Sequence, residues 1–395
     1  MRNYKPNYIF ILLVLAFAFN GCTETYPLIT NRYEEALIVE ATITNELKNQ
    51  EVKITKTARF EDEEYLPETG AEVFITDDAG TKYGFNEDSG KYISSIAFQI
   101  ESGKKYQLHI NTKDGKSFES AAETLPTINP IQSVVATVEE IDNINGVAIR
   151  VSSFDPTSTS KYYRYDYEET YKVVAPKWRP TRAVWNPNGF IDYFPNSPET
   201  KTCYGSKKNI GLLLATTNNL TEDRVEFLTR FISDQDYIIT TRYSILVRQY
   251  VESLNAYNYY NTLKKMSGSG SLLSPNQPGF LLGNLRSTKN QEDKISGYFD
   301  VCSVSSQRIY FNYSDLFPGK GAPPYYTDCK EFCYSQDEAL VPDPCTHSGG
   351  PGEDLAAERI GYFSGAGGSF TYWVNTPCSD CTTIASNIKP AFWTD

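Results

Sequence analysis

The stretch KYQLHINTKDGKSFES, residues 105–120, alternates strictly. Tyr106, Leu108 and Ile110 fall on one side of an extended chain, and Gln107, His109 and Asn111 on the other. A period of two buries one face only if the run is a β-strand. Asp114-Gly115 then turns the chain, because a type I′ hairpin needs φ > 0 at both central positions. Ala36 to Thr44, Glu51 to Thr57 and the run from Gly70 to Asp88 read the same way, with Val73 and Ile75 alternating and Asp77-Asp78-Ala79-Gly80 reversing direction. Seven or so short strands within roughly 90 residues predict an immunoglobulin-like or transthyretin-like sandwich. Pro126 and Pro130 mark its end.

Composition agrees with a mainly β chain. Tyr is abundant at 29 residues, and Tyr, Val, Ile and Thr suit strands. Hydrophobic residues make up 40% and charged residues 22%, so a core can form. At about 150 residues per domain, 395 residues predict two or three domains. The net charge of −12 repels phosphate backbones and argues against nucleic acid as a partner.

The first residues address the protein. Arg2 and Lys5 precede an unbroken apolar run, Ile9 to Phe19, of 11 residues. That is too short for a bilayer span, which takes roughly 20 residues, and it suits a secretory signal. Asn20-Gly21-Cys22 follows and reads as a bacterial lipobox, with Phe19 where most carry Leu. Cleavage before Cys22 would leave that cysteine lipidated and the chain anchored to a membrane. Thr23 is not the Asp that retains some lipoproteins at the inner membrane, so the outer membrane is the expected site, facing the cell surface. Residues 1–21 are thus expected as signal peptide and 22–34 as a tether.

A second group of strands starts at Ile131, with Gly146 to Val151 and Tyr162 to Val174 its clearest members. Pro176 to Phe190 holds three prolines, two tryptophans and no period, and reads as a long loop. Trp178 and Trp185 there either plug the end of a sandwich or present a binding surface; Tyr325 and Tyr326 are further aromatic binding candidates. After the alternating Tyr243, Ile245 and Val247, Ser253 caps a helix expected over 253–266, with Leu254, Tyr257, Tyr260 and Leu263 on a packing face and Gly268 as the stop. The expected organisation is a sandwich over 35–126, a larger β-rich domain over 131–317 containing the helix, and a cysteine-rich, loop-rich tail over 318–395 packed on it.

Cys329, Cys333, Cys345, Cys378 and Cys381 crowd that tail. Their spacing fits a four-sulfur zinc site as well as disulfides. An exported chain meets an oxidising environment, so disulfides are the expectation, stapling a glycine-rich tail. Seven cysteines besides Cys22 leave one over, and Cys203 or Cys302, each in a more regular segment, is the expected buried odd thiol. No metal or cofactor is expected elsewhere. The acidic Glu61 to Glu64 run reads as a solvated loop rather than a calcium site.

Catalytic motifs do not assemble. There are only two histidines, His109 and His347, and neither G-x-S-x-G nor H-E-x-x-H occurs. A non-enzymatic protein is expected, with an unrecognised hydrolase as the remote alternative.

The motifs also carry a resemblance. YSILVRQYVESLNAYNYYNTLKK, then GNLRSTKNQEDKISGYFDVCSVSSQRIYF from Gly283, supported by IVEATIT, GAEVFITDDAG, GKKYQLHI and the final cysteine pair followed by Pro390-Ala391-Phe392-Trp393, resemble the Bacteroidota lipoproteins grouped as domain of unknown function 4249. The resemblance implies a two-part, mostly β envelope lipoprotein. It implies partnership with an outer-membrane β-barrel such as a TonB-dependent receptor, and it brings no catalytic residues. The expected function is a binding or accessory component of such a complex; the alternative is an adhesin or structural scaffold of the cell surface.

Overall fold

The computed structural model describes residues 36–57, 66–268, 281–335, 347–348, 351–366 and 370–395. Cys22, the tether, Glu61 to Glu64 and Cys345 lie outside them. Among the described residues no helix is long and apolar enough to cross a membrane.

The fold is mainly β. The N-terminal half contributes β1 (Leu37–Thr44), β2 (Glu51–Lys56), β3 (Glu72–Asp77), β4 (Lys82–Asp88), β5 (Lys91–Ser94), β6 (Lys105–Asn111), β7 (Ser117–Ser120) and β8 (Glu123–Thr124). The second half contributes β9 (Ser133–Ile141), β10 (Ile144–Asp155), β11 (Tyr162–Val174), β12 (Thr181–Trp185), β13 (Ile191–Pro195), β14 (Thr202–Lys208), β15 (Leu213–Thr216), β16 (Asp223–Ser233) and β17 (Arg242–Val251). Helix α1 (Leu254–Gly268), β18 (Leu285–Ser287) and β19 (Ile295–Asn312) follow, and the tail adds β20 (Phe332–Ser335), β21 (His347–Ser348), β22 (Ile360–Ala366) and β23 (Phe370–Asn375).

The alternation in β6 is realised: Tyr106, Leu108 and Ile110 are all buried, and Gly115 takes φ +88° in the turn that follows. The first core gathers Val39, Ile43, Val52, Ile54, Val73, Ile75 and these three side chains. It also takes Leu285, Ile295, Phe299 and Val301 from far along the chain. The sandwich expected over 35–126 is therefore not closed by those residues alone.

The reason is β19. Its first part runs parallel to β1, from Leu37 opposite Ile295 to Thr44 opposite Cys302. Its second part pairs antiparallel with β17, from Val251 opposite Ser303 to Arg242 opposite Asn312. One strand thus joins both halves in a single sheet, ordered β14-β11-β17-β19-β1-β2-β5-β4-β3-β6-β7-β18. The glycines of the GN and SGYF motifs make this crossing possible. Gly297 sits at φ +112°, where a Cβ would collide with the Val39 carbonyl, and a Cβ on Gly283 would collide with the Gly297 carbonyl. Only glycine lets three backbones approach so closely. Asn284 then pairs with the Phe299 backbone like a short strand, accepting from its N–H at 2.8 Å and donating to its carbonyl at 2.9 Å.

In the second half, the three-stranded sheet β16-β10-β9 packs on β11 and β17. Val147, Ile149, Val151, Val225 and Ile232 meet Tyr163, Tyr165, Ile245 and Val247 in this core. Helix α1 begins as expected, with Ser253 Oγ accepting from Ala256 N at 3.1 Å. It lies over the seam where β19 changes partners. Tyr257 packs on Tyr162, and Tyr259 and Tyr260 on Tyr298. Beneath it the Arg164 guanidinium lies against the rings of Tyr250 and Tyr260, 4.2 and 4.7 Å from their centroids. Its Nε donates to Glu252 at 2.7 Å and its Nη2 to Asp300 at 3.1 Å.

The tail is more regular than its composition suggests, with the sheet β21-β20-β23-β22 around a small core of Tyr334, Leu355, Ile360 and Trp373. Its end docks on the second half. Tyr204 N donates to Ser386 O at 2.7 Å, Tyr310 donates its hydroxyl to Phe392 O at 2.6 Å, and Trp393 packs edge-on against Tyr204.

Candidate functional site

The segment read as a loop from Pro176 to Phe190 instead opens a two-stranded ribbon, β12 and β13, paired from Thr181 opposite Pro195 to Trp185 opposite Ile191. Asn186 makes the turn. Its side-chain oxygen accepts from Asn188 N at 3.0 Å and Phe190 N at 3.1 Å, and Gly189 supplies φ +83°. An Asn whose side chain ties down the next residues, followed by Gly, is a turn signal. The three prolines masked it.

Alternation sorts the ribbon's side chains. Ala183, Trp185 and Ile191 pack on the small tail core, and Trp185 lies so close to Gly352 that a Cβ there would come within 2.7 Å of the indole. Tyr193 stands edge-on to Tyr362 of the tail at 5.1 Å. On the other face Arg182 lies 5.6 Å from the ring of its cross-strand partner Phe194. Phe190, Tyr193 and Phe194 remain 68%, 48% and 44% exposed. Close by, Arg179 and Lys177 sit 4.2 and 5.0 Å from the Phe363 ring. The result is an aromatic surface with a cationic rim, on a chain whose net charge is −12.

The expected aromatics are placed differently. Trp178 is half-buried against the second core, with its indole N–H donating to Thr200 Oγ1 at 2.9 Å, so it plugs. Trp185 plugs the tail core and holds the ribbon. Tyr325 donates its hydroxyl to the Pro377 carbonyl at 3.0 Å, and burial pushes that hydroxyl's pKa up to about 12. Tyr326 is exposed beside Tyr237. The aromatics left exposed on the ribbon, Phe194 on its outward face, Phe190 in the turn and Tyr193 at the edge of the tail-facing side, were not singled out from sequence. Exposure is not a sequence quantity until the turn at Asn186 is recognised.

The cysteines brace this surface. Cys378 is bridged to Cys329, and Cys381 to Cys203 of β14. Cys333 is disulfide-bonded as well. Lys177 N, at the base of the ribbon, donates to the Cys378 carbonyl at 2.8 Å. Cys302 is the free, buried cysteine among the described residues, whereas Cys203, the other candidate for the odd thiol, is bridged. His109 is engaged within the first sheet, stacked on Phe74 at 4.8 Å and 3.0 Å from Thr76 Oγ1; burial lowers its pKa.

Residues 23–308 match the family model described as Domain of unknown function (DUF4249). The chain belongs to that family. The DUF4249 match contains the ribbon, helix α1 and most of β19, whereas the disulfide-bearing tail behind the ribbon lies beyond it. No curated protein matches the chain. Solved structures include a biofilm associated protein BSP domain at 7% identity and TM-score 0.15, covering 73% of this chain and 61% of that one. A biofilm associated protein B domain reaches 7% identity and TM-score 0.13, covering 72% and 89%. At such scores neither bears on the fold or function of this DUF4249 chain.

Proposed function

We propose that this chain is a lipoprotein of the outer membrane, anchored through Cys22 and facing the cell surface. It acts without catalysis, as a binding or accessory component of a TonB-dependent transporter or another outer-membrane β-barrel complex. The observation that carries this reading is the exposed aromatic ribbon. Large apolar side chains held on a rigid support are the usual anchors of protein interfaces, because little side-chain entropy is lost when they bind. Phe194 stands outward on a strand pair braced by Trp185 and the disulfide-bearing tail, and Phe190 projects from the turn beside it. The Arg179 and Arg182 rim supplies cations able to stack and to meet acidic groups of a partner.

Pull-down of the tagged chain from gently solubilised outer membranes tests the reading. Stoichiometric recovery of a β-barrel protein supports it. Recovery of the chain without any barrel partner would sink it and favour the adhesin or scaffold alternative.

A further inference from the structure

The seam between the two halves holds more negative chemistry than Arg164 neutralises. Arg164 engages one oxygen of each carboxylate, Glu252 Oε1 and Asp300 Oδ2, and Tyr260 donates to the same Asp300 oxygen at 3.2 Å. The other two oxygens, Glu252 Oε2 and Asp300 Oδ1, are buried without a hydrogen-bond partner. Both side chains are no more than 1% exposed. One oxygen from each carboxylate and the sulfur of the buried Cys302 lie within 4.8 Å of one another.

Other charged groups nearby are already committed. Lys48 pairs with Glu46 at 2.6 Å. Asp166 takes Arg248 and the Tyr250 hydroxyl, and Glu123 takes Asn284 and Tyr298. With Cys302 as thiolate, the two carboxylates and the sulfur exceed the single guanidinium by two negative charges. Buried charges persist when paired or when they bind a metal. A proton shared between the carboxylates would answer the two orphan oxygens, but it would not account for a buried thiol within 4.8 Å of both.

We propose that Glu252, Asp300 and Cys302 form a buried site for a divalent transition-metal ion, zinc being the first choice. Zinc accepts mixed sulfur and oxygen ligands, whereas calcium and magnesium take oxygen and reject thiolate. On binding, one metal–sulfur and two metal–oxygen bonds form, and the thiol proton leaves to solvent with any proton held by Glu252. Arg164 stays on the far oxygens and orients both carboxylates, as outer partners do in metal sites. Glu252 follows β17, and Asp300 and Cys302 lie on β19. The ion would therefore pin the point where β19 changes partners, so its role is structural.

The full chain, purified in mild detergent without chelator, supplies the test. Elemental analysis should find stoichiometric zinc. Chelator-stripped protein titrated with cadmium should develop an ultraviolet cadmium–thiolate band, and zinc should raise its Tm. Cys302→Ser should lose the band and most of the retained zinc, and Glu252→Gln should retain less zinc than wild type. Absence of both the band and a zinc-dependent Tm shift in wild type overturns the proposal, as does full zinc retention in Cys302→Ser. If either variant does not fold, the wild-type band and Tm shift still decide.

Discussion

Cys203 and Cys381 are bridged across 178 residues of sequence, fastening the closing PCSDC motif to β14 in the second half. The neighbouring Cys378 turns back to Cys329, 49 residues away, within the tail. One cysteine pair thus gives one bridge to the body and one inside the tail. Non-reducing peptide mapping should recover both links. Replacing Cys203 and Cys381 together by Ser should cost about 2–5 kcal/mol, since the lost cross-link closes a long loop. Denaturant unfolding measures the loss, and the tail should become protease-sensitive before the first sandwich does.

Arg164→Met should be far more damaging than loss of a surface cation. It leaves Glu252 and Asp300 buried without their partner, a change that costs about 3–5 kcal/mol. Lys53→Met removes an exposed pair with Glu40 and should cost less than about 1 kcal/mol. Chemical denaturation of the two variants side by side checks the contrast.

Gly352→Ala should loosen the ribbon from a position outside its own strands. The new methyl meets the Trp185 indole at 2.7 Å, and overpacking of this kind costs about 1–3 kcal/mol. Tryptophan fluorescence should shift toward that of an exposed indole, and recovery of the proposed outer-membrane partner should fall.

Acid sensitivity should have one traceable source at the end of β10. Burial pushes the Asp155 carboxyl pKa up, but hydrogen bonds from Thr157 and Ser160 outweigh it and hold the group well below the usual range. A depressed folded-state pKa gives stability that is fully present above the unfolded value, about 3.9 for Asp. It is lost as pH falls through that value toward the folded one. Asp155→Asn should be less stable near neutrality and should lose less on acidification below about pH 4. Thermal unfolding of both forms across that range reads the difference.

Much of the fold was legible because it is local. Tyr106, Leu108 and Ile110 announce a strand by alternation, and Ser253 announces a helix start by its position. The pairing of β1 with β19 was not legible. Leu37 and Ile295 are brought together by a shared core and by the glycine crossing at Gly297, and neither leaves a periodic trace. The Arg164, Glu252, Asp300 and Cys302 cluster was hidden for the same reason, each residue sitting unremarked in its own segment. Paired cysteines could be read as bridges, but their partners could not, because partner choice follows the docking of the tail on β14. The ribbon was obscured by local conflict: prolines argued for a loop while Asn186 and Gly189 built a turn.

The central claim is that the ribbon is the face on which an outer-membrane β-barrel partner docks. A photo-crosslinking residue placed at Phe190 or Phe194, in cells, tests it most directly. Ile210, 96% exposed on the loop between β14 and β15, is the control position. The account predicts a crosslinked adduct with a β-barrel protein from the ribbon positions and none from Ile210. Equal crosslinking from both places, or no barrel adduct from the ribbon while the chain is correctly anchored, would contradict it.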